Sequence, residues 1–486
     1  MMLVRTHDAE LHAEADRVIG QLFLPGEESA ATHSRATEIV ARVLAIDDDD
    51  VEAAVAGLMK DFSARHPDLE AMFLAHADAV SSRLTGPIEL SHSRRLLLGA
   101  SFTAEFALEG AALCNPSAVE HPDQSGLEPG QLRVAIALRA IGEGHLSSIG
   151  FAEAVIGPGR TWTFQGRRKP PWRAQVRDGD WSLEHFRAIA EHEGILNETS
   201  HVILRELPPR FSAADLNVAV ASLPTELSSR AGSRGQIEAL RAIAASAYHA
   251  SFPVESELSQ RVLTPVAAEE HRGMEDARFV RVVDVEGSVE YRATYTAYDG
   301  RDIAPRLIVT PDLRDFTIHR LAGNAAHNKG MALFPRRIGD KHLALCRTGG
   351  ENISLAESED GVVWTLTGTV HEPREVWEIV QTGNCGAPLE TEHGWLVLTH
   401  GVGPMRTYVL GALLLDLQDP SRVIGHTSLP ILEPRPGHSD GYVPNVVYSC
   451  GGLIHEGVLW IPIGIADARI GVCSIGVAEL LAAMTS

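Results

Sequence analysis

From about residue 112 to the C-terminus, short apolar runs rich in β-branched residues recur, each bounded by Gly, Pro, Asn or Asp. They are Arg133–Leu138, Glu290–Ala297, Leu307–Thr310, Leu343–Cys346, Trp395–Leu398, Tyr408–Leu415, Val458–Ile463 and Ile470–Val477. Runs this short, with this punctuation, are strands rather than helices. Within this region there is a weak repeat. Leu307 to Phe316 resembles Leu355 to Trp364, with Asp312 matching Asp360 and Phe316 matching Trp364, both at an offset of 48 (360 − 312; 364 − 316). A strand, an acidic turn and an aromatic-ended strand at that period are what a four-stranded propeller blade gives. The expectation is a mainly β domain.

Two regions break the pattern. Residues 1–110 read as helical: Leu11, Ala15, Val18, Ile19 and Leu22 follow one helix face, and Val51, Val55, Leu58, Met59 and Phe62 repeat it behind the acidic run Asp47–Asp50. The pattern continues weakly from Leu96 to Leu108. Residues 160–255 read as a helical insertion, with helices over Ser182–Ala190 and Ser233–Ala250, the second opening on a capping-box spacing from Ser233 to Gln236. The expected domains are 1–110, helical, and 111–486, strand-rich with that insertion.

Composition narrows the function. A net charge of −22 over 486 residues argues against a nucleic-acid partner held by a general basic face. An anionic ligand needs a local, preorganised cationic site instead. Five scattered cysteines without a CxxC pair indicate neither a disulfide framework nor a zinc knuckle. The polar N-terminus is no signal peptide, and no apolar run reaches transmembrane length, so the expectation is a cytoplasmic protein with no membrane partner. Walker A, HExxH and G-x-S-x-G motifs are absent; Gly142-Glu-Gly144 lacks the third glycine of a dinucleotide fingerprint, and His192 and His201 are too far apart for a helical metal pair.

The densest chemistry lies at Arg272-Gly-Met-Glu-Asp-Ala-Arg-Phe279. Adjacent acids, Glu275 and Asp276, sit between Arg272 and Arg278 at a Gly-turn-to-strand junction. Such a clamp holds a carboxylic acid for proton transfer; the same residues also read as a surface salt-bridge cluster. Four further segments place a polar residue at the edge of an apolar run: Lys329, Arg347, His400 and Asp467. Lys, Arg and His converging on one cavity make an anion site. Singly, a strand-terminal cation is usually solvated and a lone histidine usually structural.

These segments, in this order, resemble glycoside hydrolase family 130, the β-mannoside phosphorylases and related β-mannosidases. The resemblance rests on Asn115-Pro-Ser117, Arg139 with Ser147-Ser148, GMEDARF at 273–279, YTAYDG at 295–300, HNKGMALFPRR at 327–337, the Arg347 strand, GWLVLTHGV at 394–402, the 408–425 and 441–452 segments, and IGIADARIGVC at 463–473. It implies a five-bladed β-propeller carrying a helical N-terminal extension. It implies that Asp276 is the catalytic acid and that Lys329, Arg347 and His400 hold phosphate with Tyr408 assisting. Asn115, Arg139, Glu275, Arg278 and Asp467 would then line the sugar pocket. The implied activity is inverting phosphorolysis of a β-mannoside or β-manno-oligosaccharide to α-mannose 1-phosphate. Inorganic phosphate is the co-substrate, no metal or organic cofactor is needed, and the helical regions are available to a homo-oligomer interface. Two alternatives stay open: a β-mannosidase on the same scaffold, for which Glu378 is a spare acid, and a non-catalytic sugar-binding propeller. Two positions depart from the common family form: Ala277 replaces a proline after the acid, and Gly330 replaces an acid after the lysine.

Overall fold

The computed structural model describes residues 4–25, 35–81, 89–230, 232–284, 286–435 and 440–485. The chain divides into two compact units: residues 14–110 with 168–172, and the remainder.

The smaller unit holds helices Arg35–Leu44, Asp48–Phe62, Leu69–Val80 and His92–Ser101 and a two-stranded sheet of Val18–Leu22 with Thr103–Ala107. Val40, Val43, Ala77, Val80, Leu98 and Phe102 form one core cluster; Leu69, Met72, Phe73 and Leu96 form another. The helix expected over Leu11–Leu22 is not there. Leu11 belongs to strand Arg5–His12 of the larger unit, and Val18–Leu22 is a strand of the smaller one. The helical pattern read through Leu108 likewise stops at Ser101 and gives way to strand Thr103–Ala107.

The larger unit contains five successive antiparallel strand groups. The first runs through Ala112–Glu120, Leu132–Ile141, Ser147–Gly157 and Thr161–Phe164. The second runs through Gly273–Val283, Val289–Tyr298, Ile303–Thr310 and Asp315–Arg320. The third is Ala332–Leu333, His342–Thr348, Asn352–Ser358 and Thr365–His371. The fourth is Gln381–Asn384, Gly394–Val402, Tyr408–Leu415 and Val423–His426. The fifth is Val447–Tyr448, Val458–Ile465 and Arg469–Gly476, completed by Arg5–His12 from the opposite end of the chain. Each strand run read from the sequence lies in one of these groups, give or take a residue at its ends.

Neighbouring groups share cores. Val280, Leu307, Ala344 and Trp364 join the second to the third. Leu345, Leu355, Trp395 and Leu413 join the third to the fourth. Leu398, Leu410, Ile461 and Cys473 join the fourth to the fifth. Leu113, Ile136, Trp460 and Val472 join the fifth to the first. Phe151 of the first meets Phe279 and Phe316 of the second, with ring centroids 5.9 and 6.0 Å apart.

The acidic turns of the repeat have a definite job. Asp312 Oδ1 accepts from the amides of Arg314 and Asp315, and Asp360 Oδ1 from those of Val362 and Val363, while Phe316 and Trp364 are buried just beyond. Asp416 repeats the device in the fourth group, accepting from Gln418 and Asp419.

Between the first and second groups the insertion forms helices Leu183–His192, Glu198–Glu206, Ala213–Ala221, Thr225–Ser228 and Ser233–Ser246 around Trp181, Phe186, Leu204, Leu216 and Leu240. It is not wholly helical. Tyr248–Ser251, expected as the end of the last helix, is a strand paired with Asp315–Ile318. Ser233 does not cap its helix; its hydroxyl donates to the Leu227 carbonyl, and Gly232 takes the cap position at φ 90°.

The chain then passes the fully buried Glu270, whose carboxylate accepts from Arg306 Nη1 (2.7 Å), the amides of Val266 (2.8 Å) and Ala267 (3.0 Å), and the Tyr248 and Tyr295 hydroxyls. A buried charge this fully partnered fixes the path of the backbone into Gly273. All five cysteines are buried and free. Among the described residues no helix is long and apolar enough to cross a membrane.

Candidate active site

The first strands of the first and second groups carry matching irregularities. Strand Ala112–Glu120 slips register between Cys114 and Ser117, and strand Gly273–Val283 slips between Glu275 and Arg278. A bulge re-aims side chains that would otherwise alternate across the sheet. Here it puts Asn115 (φ 49°) and Asp276 (φ 56°) in the left-handed region. Non-glycine residues held there cost free energy and cluster at functional sites. The consequence is that adjacent acids, Glu275 and Asp276, contact one arginine.

That arginine is Arg139. It donates to Glu275 Oε1 at 2.6 Å, to Asp276 Oδ1 at 3.3 Å and, through Nε, to Ser147 Oγ at 3.0 Å. Asn115 Nδ2 donates to Asp276 Oδ1 at 2.5 Å. Lys329 Nζ reaches Glu275 Oε2 at 2.7 Å, so both Glu275 oxygens are engaged. Arg278 is buried behind the acids and donates to the Asp276 carbonyl (2.7 Å), the Cys385 carbonyl (2.7 Å) and the Tyr448 hydroxyl (3.0 Å).

The other residues close in from the third, fourth and fifth groups. His400 lies inside the buried strand Gly394–Val402, its ring 4.9 Å from that of Tyr448 and 6.4 Å from that of Tyr408. His400 and Arg347 flank Gly383: a Cβ there would lie 2.5 Å from His400 Cε1 and 3.1 Å from Arg347 Cδ. Arg347 also packs on Gly330, where a Cβ would lie 2.7 Å from Arg347 Cδ and the backbone takes φ 90°. The glycine that departs from the family form is therefore what this backbone and this arginine require. Ala277, the other departure, is buried within the bulge. Asp467 stands in the turn after Val458–Ile465 at φ 48°. Tyr408 touches the cluster only by its ring.

Electrostatics separate the carboxyls. Burial alone would raise the Asp276 carboxyl. Arg139, Arg278, the Asn115 amide and Lys329 outweigh it and hold the group below the usual carboxylate range. Asp467 has no such clamp: burial and the nearby Asp276 charge push it up to about 6. His400 goes the other way. Burial, then Arg347 and Arg278, depress it well below an ordinary histidine, which favours the uncharged ring.

Four buried polar atoms in this cluster have no hydrogen-bond partner: Asn115 Oδ1, Arg347 Nε, Asn384 Oδ1 and His400 Nδ1. Buried polar groups are rarely left so, and several together mark a place built for a polar ligand. Glu378, by contrast, is saturated. It binds His371 Nε2 at 3.0 Å, the Thr382 hydroxyl at 3.1 Å and the amides of Arg374 and Glu375. It is a structural knot supporting strand Gln381–Asn384, not a spare acid. Among the described residues no group of three or more His, Cys, Asp or Glu could hold a metal ion.

Sequence reasoning missed Tyr448, Gly383 and Asn384, whose Nδ2 donates to the Gly330 carbonyl at 2.7 Å. The only signal was an Asn closing a short strand ahead of Cys385-Gly386, which reads equally as an ordinary turn.

Residues 245–486 match the glycoside hydrolase family 130 model, described as beta-1,4-mannooligosaccharide phosphorylase. A 1,2-beta-oligomannan phosphorylase of Thermoanaerobacter sp. (strain X514) is 33% identical over 228 residues, 46% of this chain and 75% of that protein. A beta-1,2-mannobiose phosphorylase of Listeria innocua serovar 6a is 34% identical over 221 residues, 43% of this chain and 59% of that protein. The solved complex of beta-1,2-mannobiose phosphorylase from Listeria innocua with beta-1,2-mannobiose aligns over 78% of this chain and 92% of that one, at 22% identity and a TM-score of 0.44. With the Thermoanaerobacter relative 33% identical and matched over 75% of its length, the chain belongs to glycoside hydrolase family 130.

Proposed function

We propose that the protein is an inverting phosphorylase of β-mannosides, with Asp276 as the acid and Lys329, Arg347 and His400 as the phosphate site. The observation that carries this is the pairing of one clamped acid with the cations Lys329 and Arg347, the latter with an unpartnered buried Nε donor. Inverting hydrolysis needs a second carboxylate to activate water. Phosphate is already an anionic nucleophile and needs cations to position it and to screen its charge from Asp276.

The depressed Asp276 carboxyl fits this role. In the empty site the surrounding cations favour its ionised form. A phosphate anion bound at Lys329 and Arg347 adds negative charge beside Asp276 and offsets the pull of its cations, so the carboxyl takes up a proton. Asp276 then protonates the glycosidic oxygen as phosphate attacks the anomeric carbon. The C–O bond to the leaving sugar breaks, the C–O bond to phosphate forms, and the proton released from the phosphate ester restores the acid. Asn115 and Arg139 orient Asp276, Glu275 anchors Lys329, and Asp467 accepts from a sugar hydroxyl.

The five strand groups are read as the five blades of a propeller, built from residues 111–486 and strand Arg5–His12, with 14–110 rather than the expected 1–110 as an accessory region. Shared cores link each group to the next and the fifth back to the first, and strand Arg5–His12 completes the last group. The innermost strands, or the loops entering them, supply Asn115, Asp276, Lys329, Gly383 and Tyr448.

One observation favours a second reading. Asp467, at about 6, is poised as a general base and could activate water in a β-mannosidase. The deciding experiment incubates the protein with β-1,2-, β-1,3- and β-1,4-mannosides, with and without phosphate. Phosphate-dependent release of α-mannose 1-phosphate is expected, and Arg347→Ala should raise the apparent phosphate constant by about one to two orders of magnitude with little change for mannoside. Phosphate-independent release of free mannose would replace the phosphorylase by the hydrolase.

A further inference from the structure

A cavity of about 420 Å³ lies where the insertion helices Leu183–His192 and Ser233–Ser246 meet the hairpin loop after Tyr298 and the segment leading to Lys329. We propose that it is a distal saccharide subsite, through which the insertion lets the enzyme distinguish long β-mannoside chains from disaccharides. The proposal rests on the mannoside reading above and adds a substrate length to it.

Position comes first. His327, in the cavity wall, is two residues before Lys329, and Asp299 and Asp302 belong to the hairpin whose first strand, Val289–Tyr298, pairs with Gly273–Val283. Tyr298 pairs with Gly273, so the hairpin turns at the end of the sheet where Glu275 and Asp276 begin. Ala326 and His327 of the wall lie on the segment that leads to Lys329.

The lining chemistry selects the ligand class. Asp299, Asp302, Glu193 and Glu269 contribute carboxylates, against one arginine, Arg320, which is already bound to Glu193 (2.6 Å) and Glu269 (3.2 Å). That balance repels phosphate and other anions. Glu269 Oε2 is buried without a hydrogen-bond partner, with Arg306 Nη1 4.0 Å away. The rings of His192 and His327 lie 4.6 Å apart and are exposed to the cavity. Burial and the neighbouring His327 lower the pKa of His192, keeping that ring uncharged near neutral pH. Flat imidazole rings beside carboxylate acceptors suit a neutral polyol, whose C–H faces pack on the rings and whose hydroxyls donate to the acids. The volume falls within the range of ordinary small-ligand sites.

The test uses the full chain and two variants that leave the catalytic cluster alone: Ala242→Trp, which fills the cavity from an exposed face of helix Ser233–Ser246, and His192→Ala. Phosphate-dependent kcat/KM is measured for β-mannobiose and β-mannotetraose. The proposal expects wild type to prefer the tetrasaccharide, and each variant to lower kcat/KM for it about tenfold while changing the disaccharide value by no more than about twofold. An equal fall for both substrates, or no fall for either, overturns the subsite. Calorimetric titration with β-mannotetraose keeps the two readings distinct. If no mannoside supports phosphate-dependent turnover, the phosphorylase reading fails on its own. The subsite then stands or falls on whether Ala242→Trp weakens tetrasaccharide binding.

Discussion

At the scale of single residues the cluster contains two half-buried carboxyls, Asp276 and Asp467, driven apart by their surroundings, and each makes a prediction. Asp276 is clamped by Asn115 and two arginines. Asp276→Asn keeps the shape and the backbone contact from Arg278, so the fold should survive while turnover falls by about 10²–10⁴-fold, the usual contribution of a general acid. A folded Asn variant with near-wild-type turnover would remove Asp276 from that role. Asp467 is raised to about 6 from a normal value near 3.8, so the folded protein holds its proton more tightly than the unfolded chain. Its effect on stability is therefore absent below about pH 4, becomes unfavourable as pH rises from about 4 to 6, and stays constant above that, at roughly 3 kcal/mol. Asp467→Asn removes the charge. The variant should match wild type near pH 4 and melt higher at pH 7 to 8, as thermal denaturation across that range would show. His400 has the opposite sign: its depressed pKa means its stabilising contribution is present above about pH 6.5 and is lost as pH falls below it. Comparing Asp467→Asn with wild type at each pH cancels that background.

At the scale of elements, the strands were legible because apolar β-branched runs carry their own signal, and the acidic-turn repeat was legible because Asp312 and Asp360 make the same backbone contacts. The helix over Leu11–Leu22 was not. Its spacing arose from a strand of one unit followed by a strand of the other, and periodicity within one window cannot register a boundary that depends on distant partners. The site divides similarly. The acid pair and the four polar positions stand out as local anomalies in apolar surroundings. The bulge that aims both acids, the neutrality of His400 and the saturation of Glu378 depend on contacts between segments far apart in sequence. Gly330 shows how such contacts reinterpret a residue. From sequence it is a missing acid; in the fold it is the only residue type that suits φ 90° with Arg347 against it. Gly330→Ala should therefore cost about 1–3 kcal/mol in stability and raise the phosphate constant by displacing Arg347. Urea unfolding together with rates at varied phosphate would check both effects, and a neutral outcome would show that Arg347 is not held by this contact.

At the scale of the whole molecule, a chain of net charge −22 gathers its useful cations at one place, and that place exists only while strand groups from residue 112 to residue 476 stay in order. The order depends on how the last group ends. Its strand Arg469–Gly476 is covered by Arg5–His12, from the other end of the chain: Arg5 pairs with Ser474 and His12 with Arg469, the His7 ring lies 5.0 Å from Trp460, and His7 Nε2 lies 2.8 Å from Ser474 Oγ. Without that strand, Arg469–Gly476 becomes an open edge next to a core containing Trp460 and Val472. Open apolar edges invite pairing with other chains. Removing residues 1–13 should therefore destabilise the larger unit by a few kcal/mol, mostly through exposed edge hydrogen bonds and the loss of buried Leu11, and should promote aggregation. The strand contributes no residue to the catalytic cluster. Whatever fraction stays folded should consequently keep the wild-type mannoside and phosphate constants, with only the yield of active protein and its melting temperature reduced. Thermal melts, size-exclusion chromatography and initial rates on the same preparation separate these effects. An unchanged melting temperature would show that the five groups hold together without the N-terminal strand, and altered substrate constants would show that this strand shapes the site as well as closing the fold.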